Sequence, residues 1–257
     1  MNLDTWIDHF ARNGKNRPEP NWDAPLQPLA PHAQAALLSS LQQFELGDGG
    51  GPAYLIGRDL QSYFEDHPAM KQMVDLWFTE EERHSQLLGK AVKRFGGDSI
   101  EGHWSFSVFC NVRKYLGVKF ELYALLLTEI TSNNYYKLLR KYAPDEVIKG
   151  MCDLIIRDET GHINFHCDRI ASRMDGNYQL GALWSVRMHV LAFLAGTMLW
   201  INHRKALVSL GASTREFYTG FRNETGRFVD ATRKRREKFD AQSKVAPSEG
   251  NVNKEVA

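Results

Sequence analysis

Two apolar stripes with helical spacing are each interrupted by a glutamate and a histidine three residues apart. The first contains Met70, Met73, Trp77, Glu81, His84, Leu88, Ala91 and Phe95, and the second Ile148, Cys152, Ile155, Glu159, His162 and His166. Spacings of three and four predict α-helices that turn these residues towards a core. Because burial of an unpaired carboxylate is costly, each Glu–His pair needs a partner inside the protein.

A pair of metal ions is the partner that these residue types indicate. Residues i and i+3 of a helix point the same way, so each Glu–His pair can converge on one ion. Carboxylate oxygen with imidazole nitrogen suits iron, with manganese as the alternative. Two more apolar stripes hold one glutamate each, which completes a set of six candidate ligands: Glu45, Glu81, His84, Glu129, Glu159 and His162. Glu45 could instead be a solvated helix end before Gly47, and Glu121 is the rival of Glu129.

The remaining sequence predicts an all-α fold, because periods near 3.6 dominate and no alternating strand pattern is evident. Helices are predicted over 31–46, 58–95 with a break at Pro68, 105–142, 144–174, 179–210 and 213–239. Prolines between residues 18 and 31 predict an extended lead-in over 1–30. One helical domain spans 31–240, and the polar composition of 241–257 predicts a disordered tail.

Composition narrows the classes of partner. A net charge of +1 gives no overall field for nucleic acid or an anionic membrane. Three scattered cysteines and no signal peptide favour a reducing, cytoplasmic location. The apolar stretch 180–201 has the length of a membrane span, but a buried central helix explains it equally, so no span is predicted. The basic run 233–238 indicates a solvated helix end, with binding of an acidic carrier protein as the alternative.

At the ligand residues the sequence resembles the ferritin-like di-iron carboxylate superfamily, in which two helices give one Glu each and two give Glu-x-x-His. Segment 77–88 is most similar to the second bundle helix of acyl-carrier-protein desaturases, 156–162 to their later DExxH helix, and 127–131 to the segment with the bridging Glu. The resemblance covers roughly residues 35–170. It implies a ferritin-like four-helix bundle with additional C-terminal helices.

The resemblance also implies roles. Glu81 and Glu159 would ligate or bridge two irons, with Glu45 and Glu129 as partner carboxylates and one histidine on each iron. Glu80 and Asp158 would orient the histidines of the opposite helix. His166 departs from the desaturase pattern: it is either a third histidine ligand or a core histidine.

Three functions are therefore open at this point. The first is an O2-dependent di-iron oxidoreductase, of oxygenase or desaturase type, acting on an organic, partly apolar or acyl substrate. It would need an electron donor such as a ferredoxin or flavoprotein, and helical faces could pair two copies as a homodimer. The second is a ferroxidase that handles iron, and the third is a helical protein with a structural or vestigial site.

Overall fold

The computed structural model describes residues 1–15, 17–49, 54–174, 176 and 179–245. Within these residues the chain forms nine helices and no strand, so the all-α prediction is confirmed. The helices are α1 (Leu3–Asn13), α2 (Pro31–Gly49), α3 (Leu60–Asp66), α4 (Pro68–Arg94), α5 (Trp104–Tyr115), α6 (Val118–Tyr142), α7 (Glu146–Ala171), α8 (Ala182–Leu210) and α9 (Thr214–Val245).

Four long helices position the candidate ligands. Helix α2 packs along α4, α6 packs along α7, and α4 faces α7. Helix α8 lies against α2 and α6, α9 lies against α6, α7 and α8, and α1 lies against α4. The Glu–His pairs of α4 and α7 are therefore on facing helices.

Two apolar clusters lie on either side of the candidate ligands. On one side, Met73 and Trp77 of α4 pack with Leu122 of α6 and Phe165 of α7. On the other side, a second cluster contains Leu88 of α4 together with the later part of α6 and the earlier part of α7. The candidate ligands lie between these clusters, so their polar atoms are held in the interior by packing above and below.

The predicted extended lead-in over 1–30 is wrong for residues Leu3–Asn13, which form α1. Asn2 caps this helix by accepting a hydrogen bond from the backbone N–H of Asp4 at 2.9 Å. Its buried Phe10 joins the cluster around Trp77. The prolines that predicted an extended chain begin only at residue 18, after the helix has ended.

The predicted helix over 105–142 is two helices, α5 and α6, separated at Leu116 and Gly117. The backbone N–H of Val118 donates to Asp59 Oδ1 at 2.6 Å, which caps the new helix. A β-carbon at Gly117 would lie 3.1 Å from Asp59 Oδ2, so this close approach favours glycine. The predicted break at Pro68 is present, with Pro68 as the first residue of α4.

Helix α9 continues to Val245, so residues 241–245 are helical and not a disordered tail. No proline or glycine occurs between Gly226 and Pro247, and Arg173 forms an ion pair with Asp240 at 2.6 Å. The rest of the predicted tail, 246–257, lies outside the described residues.

The basic run 233–238 is partly structural. Arg236 donates to the backbone carbonyls of Ile170 and Ala171, and Arg233 donates to that of Leu180. The two Arg236 contacts satisfy carbonyls at the C-terminus of α7, which have no partner within the helix, and the Arg233 contact holds the segment before α8.

Helix α8 is not the buried central helix that the sequence predicted. Only 17% of its most apolar 18-residue window is buried, although its length and composition would allow it to cross a membrane. One side of α8 packs on α2 and α6, and the opposite side is exposed.

Candidate metal centre

Two adjacent groups of side chains could each hold a metal ion. Glu81, Glu129, Glu159 and His162 form the first group, and Asp48, Glu81 and His84 form the second. Within each group the donor atoms lie within 4.8 Å of one another. Because Glu81 belongs to both groups, its two carboxylate oxygens can join two neighbouring ions.

The distances around His162 fit a coordination sphere. Its Nδ1 lies 3.0 Å from Glu81 Oε1, 3.4 Å from Glu129 Oε2 and 3.6 Å from Glu159 Oε2. Ligand atoms about 2.1 Å from one ion are separated from their neighbours by roughly 3.0–3.5 Å in tetrahedral or octahedral sites. The three carboxylates and the imidazole thus converge on one point from α4, α6 and α7.

Several of the candidate ligand atoms have no hydrogen bond. Asp48 Oδ2, His84 Nδ1 and Glu159 Oε2 are buried, and none has a hydrogen-bond partner in the described part of the chain. Buried polar atoms in folded proteins almost always have a partner. These three atoms belong to the candidate ligand set, so a bound cation accounts for all of them.

The electrostatics also fit two divalent cations. The candidate ligands include four carboxylates, and their four negative charges equal the charge of two divalent ions. Burial raises the pKa of Asp48 and of Glu159 well above the usual range, and neighbouring carboxylates add to this rise. Burial would lower the pKa of His84 and His162, but their acidic neighbours outweigh it and raise both. In the metal-free protein, protons therefore supply the positive charge, and metal binding releases them.

Each histidine contacts an acid from the opposite helix, in the positions that the family resemblance implied. His84 Nε2 lies 3.0 Å from Asp158 Oδ2 of α7, and His162 Nε2 lies 3.0 Å from Glu80 Oε2 of α4. A carboxylate accepts the Nε2 proton, which directs Nδ1 of each ring towards the candidate ligands.

Helix α1 supplies a contact that the sequence did not predict. The Asn13 amide donates to Glu80 Oε1 and to Asp158 Oδ1, both at 2.8 Å. Arg17, just beyond the helix, forms an ion pair with Asp158 Oδ2 at 2.5 Å. The i, i+3, i+4, i+7 spacing of apolar residues between Leu3 and Phe10 is the signal that could have revealed α1.

Glu45, a predicted ligand, does not reach either group, and Asp48 stands in its place. Glu45 Oε1 instead accepts a hydrogen bond from Ser99 Oγ at 2.6 Å. The prediction assumed that the helix ends before Gly47, whereas α2 continues to Gly49. Asp48 is therefore helical and one turn further along, where it faces Glu81 and His84.

Glu121, the rival of Glu129, is occupied elsewhere. Its carboxylate accepts from Arg113 Nε at 2.9 Å and from the backbone N–H groups of Ile56 and Gly57 at 2.9 and 2.7 Å. These bonds fix the segment before α3 to α6. Glu129, by contrast, lies in the first group beside His162.

His166 lies in neither group. Arg169 Nε donates to His166 Nδ1 at 3.1 Å, so the lone pair of that nitrogen is engaged. Burial lowers the pKa of His166 well below its usual value, and Arg169 and His162 lower it further. Its Nε2 is buried and has no hydrogen-bond partner in the described part of the chain. Because Arg169 engages Nδ1 and the ring lies outside both groups, we interpret His166 as a core histidine.

A cavity of about 370 Å³ borders the carboxylate side of the centre. Its lining includes Asp48, Glu81, Glu129 and Glu159, but neither His84 nor His162. Much of its wall is apolar: Phe44, Phe78, Phe106, Phe109, Leu125 and Leu199. The histidine side is covered by α1, where the ring of Phe10 lies 5.7 Å from that of His162. The centre is therefore closed on one side and faces the cavity on the other.

In comparisons with protein-family models, curated proteins and solved structures, no match to this chain was found. The function proposed below is therefore inferred from the residues of the chain.

Proposed function

We propose that the chain is an O2-dependent di-iron oxidoreductase, of oxygenase or desaturase type, built on a ferritin-like bundle of α2, α4, α6 and α7. The observation that carries this proposal is the apolar cavity on the carboxylate side of the centre. A centre that only passes iron to a mineral needs no apolar chamber large enough for an organic molecule.

The proposed ligands are Asp48, Glu81 and His84 for one iron, with Glu129, Glu159 and His162 for the other and Glu81 shared. Bound iron would supply electrons to O2 and an oxidant able to break an unactivated C–H or N–H bond.

The protein's own residues hold the carboxylates in place. Trp77 Nε1 donates to Glu81 Oε1 at 2.9 Å, and Ser132 Oγ donates to Glu159 Oε1 at 3.3 Å. Asp158 and Glu80 hold the two imidazoles from behind. The carboxylates are thus aimed towards the cavity before substrate arrives. Such preorganisation lowers the activation free energy of the reaction.

The apolar cavity walls would bind the substrate and exclude water from the reacting bond. Reduction of O2 to water consumes four electrons. Oxidation of one substrate bond supplies two, so an external donor such as a ferredoxin or flavoprotein must supply the other two. Either a hydroxylated product with one water, or an alkene with two waters, balances this reaction.

Metal content tests the centre first. Anaerobic titration with ferrous iron should load two irons per chain. His162→Ala should lose iron, while His166→Ala should keep both, because His166 lies in neither group of candidate ligands. Zinc alone, no metal, or equal iron loss in the two variants would contradict the proposal.

Reaction with O2 separates an oxidoreductase from iron handling. With a large excess of ferrous iron, the oxidoreductase should oxidise only its two bound irons and then stop. With a reductant present, a free fatty acid and its thioester should be tested as probes, with products identified by mass spectrometry. Continued oxidation of the excess iron, with growth of a mineral core, would instead support the ferroxidase alternative.

A further inference from the structure

Helix α8 exposes a broad apolar face to solvent. Nine large apolar side chains lie on it, with exposed fractions from 45% at Met198 to 64% at Leu183. They are Leu183, Val186, Val190, Leu191, Phe193, Leu194, Met198, Ile201 and Val208. The opposite face, with Ala192 and Trp200, is buried in the fold. A helix that is apolar all round needs cover on both sides.

Helix α5 shows the same arrangement. Trp104, Val108, Val112 and Tyr115 recur every three or four residues on one face, and Trp104 and Tyr115 are 55% and 79% exposed. The other face carries Phe106 and Phe109, which line the cavity. Helix α5 therefore presents apolar residues both to the cavity and to the exterior.

The two exposed faces flank the same cavity. Met198 of α8 lines the cavity and is partly exposed, so the cavity reaches the surface at this residue. His103, just before α5, and Phe106, within α5, also line the cavity. Phe120, at the start of α6, is 68% exposed. The exposed faces of α5 and α8 with Phe120 are called the mouth surface here.

The exposed apolar area is of the size that marks a functional surface. Taking about 100 Å² for a large aliphatic side chain, half exposure of the nine residues on α8 leaves on the order of 450 Å² uncovered. The largest apolar patch on a typical soluble monomer is about 300–600 Å² and is often functional. Helix α5 adds to this area.

The charge of the mouth surface indicates which class of partner it would bind. No Asp or Glu occurs in residues 102–120 or 176–215, although the whole chain has 31 acidic residues. These stretches carry several bases, and Arg187, Arg204 and Lys205 are exposed on α8. Two copies paired antiparallel about the middle of the apolar stripe would place Arg187 opposite Arg204, which repels. An anionic apolar partner is complementary to all three bases.

We propose that the mouth surface docks on an anionic lipid bilayer, so that the cavity opens towards the acyl chains. Helices with an apolar face, basic residues and interfacial aromatic residues lie in the bilayer surface in this way. Helix α8 lies along the bilayer and does not cross it, because its inner face is packed on α2 and α6. The balanced net charge of the chain conceals this local basic surface.

Vesicle flotation tests the docking and requires no bound iron. The full chain should float with vesicles of phosphatidylcholine mixed with phosphatidylglycerol, and much less with phosphatidylcholine alone. Arg204→Gln/Lys205→Gln should weaken binding roughly thirtyfold, since each base near the surface contributes about fivefold. The matched control is Lys234→Gln/Lys238→Gln on the exposed side of α9, which should bind as the unsubstituted chain does.

A second pair of variants tests the apolar contact. Val190→Asp/Leu194→Asp on α8 should abolish flotation, while Leu26→Asp, at an exposed apolar residue elsewhere, should not. Unchanged melting temperatures would show that these variants fold. Absence of flotation, equal binding to neutral vesicles, or binding that survives the α8 substitutions would overturn the proposal. A stable dimer that Val190→Asp/Leu194→Asp dissociates, without vesicle binding, would assign the surface to a second copy instead.

Discussion

The substitution Asp48→Asn should remove one metal ion without destabilising the metal-free protein. Asparagine keeps the shape of the side chain but removes one of four buried negative charges. A buried charge left without its partner costs about 3–5 kcal/mol, which weakens iron binding in the second group by roughly 10²–10⁴-fold. The variant should therefore bind one iron per chain under conditions that load two in the unsubstituted protein.

In the metal-free protein, Asp48→Asn should instead raise the stability of the fold near neutral pH. Burial raises the pKa of Asp48 above its ordinary value of 3.8, so the folded protein retains this proton to a higher pH than the unfolded chain does. Stability is therefore lost as pH rises from about 4 through the folded-state pKa, and asparagine has no such loss. Each unit of pKa difference corresponds to about 1.4 kcal/mol, or roughly 2–4 °C in melting temperature for a chain of this size.

Two measurements check this reasoning: the iron content after anaerobic titration, and the melting temperature of metal-free protein at pH 7.5. Glu45→Gln is the matched control, because Glu45 lies on the same helix but bonds to Ser99. It should keep two irons. The reasoning is refuted if Glu45→Gln loses iron while Asp48→Asn keeps it, or if metal-free Asp48→Asn melts at a lower temperature than the unsubstituted protein.

Three further substitutions follow from individual contacts. Asp158→Asn, which weakens the support of His84, should lower metal affinity about 10–100-fold by calorimetric titration, and unchanged affinity would contradict this role. Glu121→Gln should cost roughly 3–5 kcal/mol in the free energy of unfolding by urea and leave the metal content at two, because its buried arginine partner loses its counter-charge. In His166→Phe the loss of the contact with Arg169 should lower stability without changing iron content; loss of iron would return His166 to the ligand set.

The helices were largely predictable from the sequence because their apolar periodicity is long and regular. The predicted helix boundaries were wrong where a contact with a residue far away in the sequence decides the structure. The break at Gly117 depends on Asp59, which caps α6 at Val118 from 59 positions earlier in the chain. The exposure of α8 was also beyond prediction, because a helix that is apolar all round is expected to be buried on all sides.

The centre was predictable where two helices repeat one pattern. Glu80-Glu81-x-x-His84 and Asp158-Glu159-x-x-His162 have identical spacing, and each first acid contacts the histidine of the other helix. The α2 ligand has no such repeat, and its identification depended on where that helix ends. The contact of Asn13 was missed because nothing in the sequence links α1 to α4 and α7.

Asp48 lies on the side of the centre that faces the cavity. Aspartate is one methylene shorter than the glutamate at the equivalent position of α6, and Asp48 and the neighbouring Gly47 both line the cavity. A longer or bulkier pair there would extend into the space between the carboxylates and the cavity wall. On the other side, Asn13 and Phe10 of α1 close the approach to the histidines. Among the described residues, the open side of the centre is therefore the cavity, so a substrate of the proposed enzyme would approach past Met198 from the mouth surface.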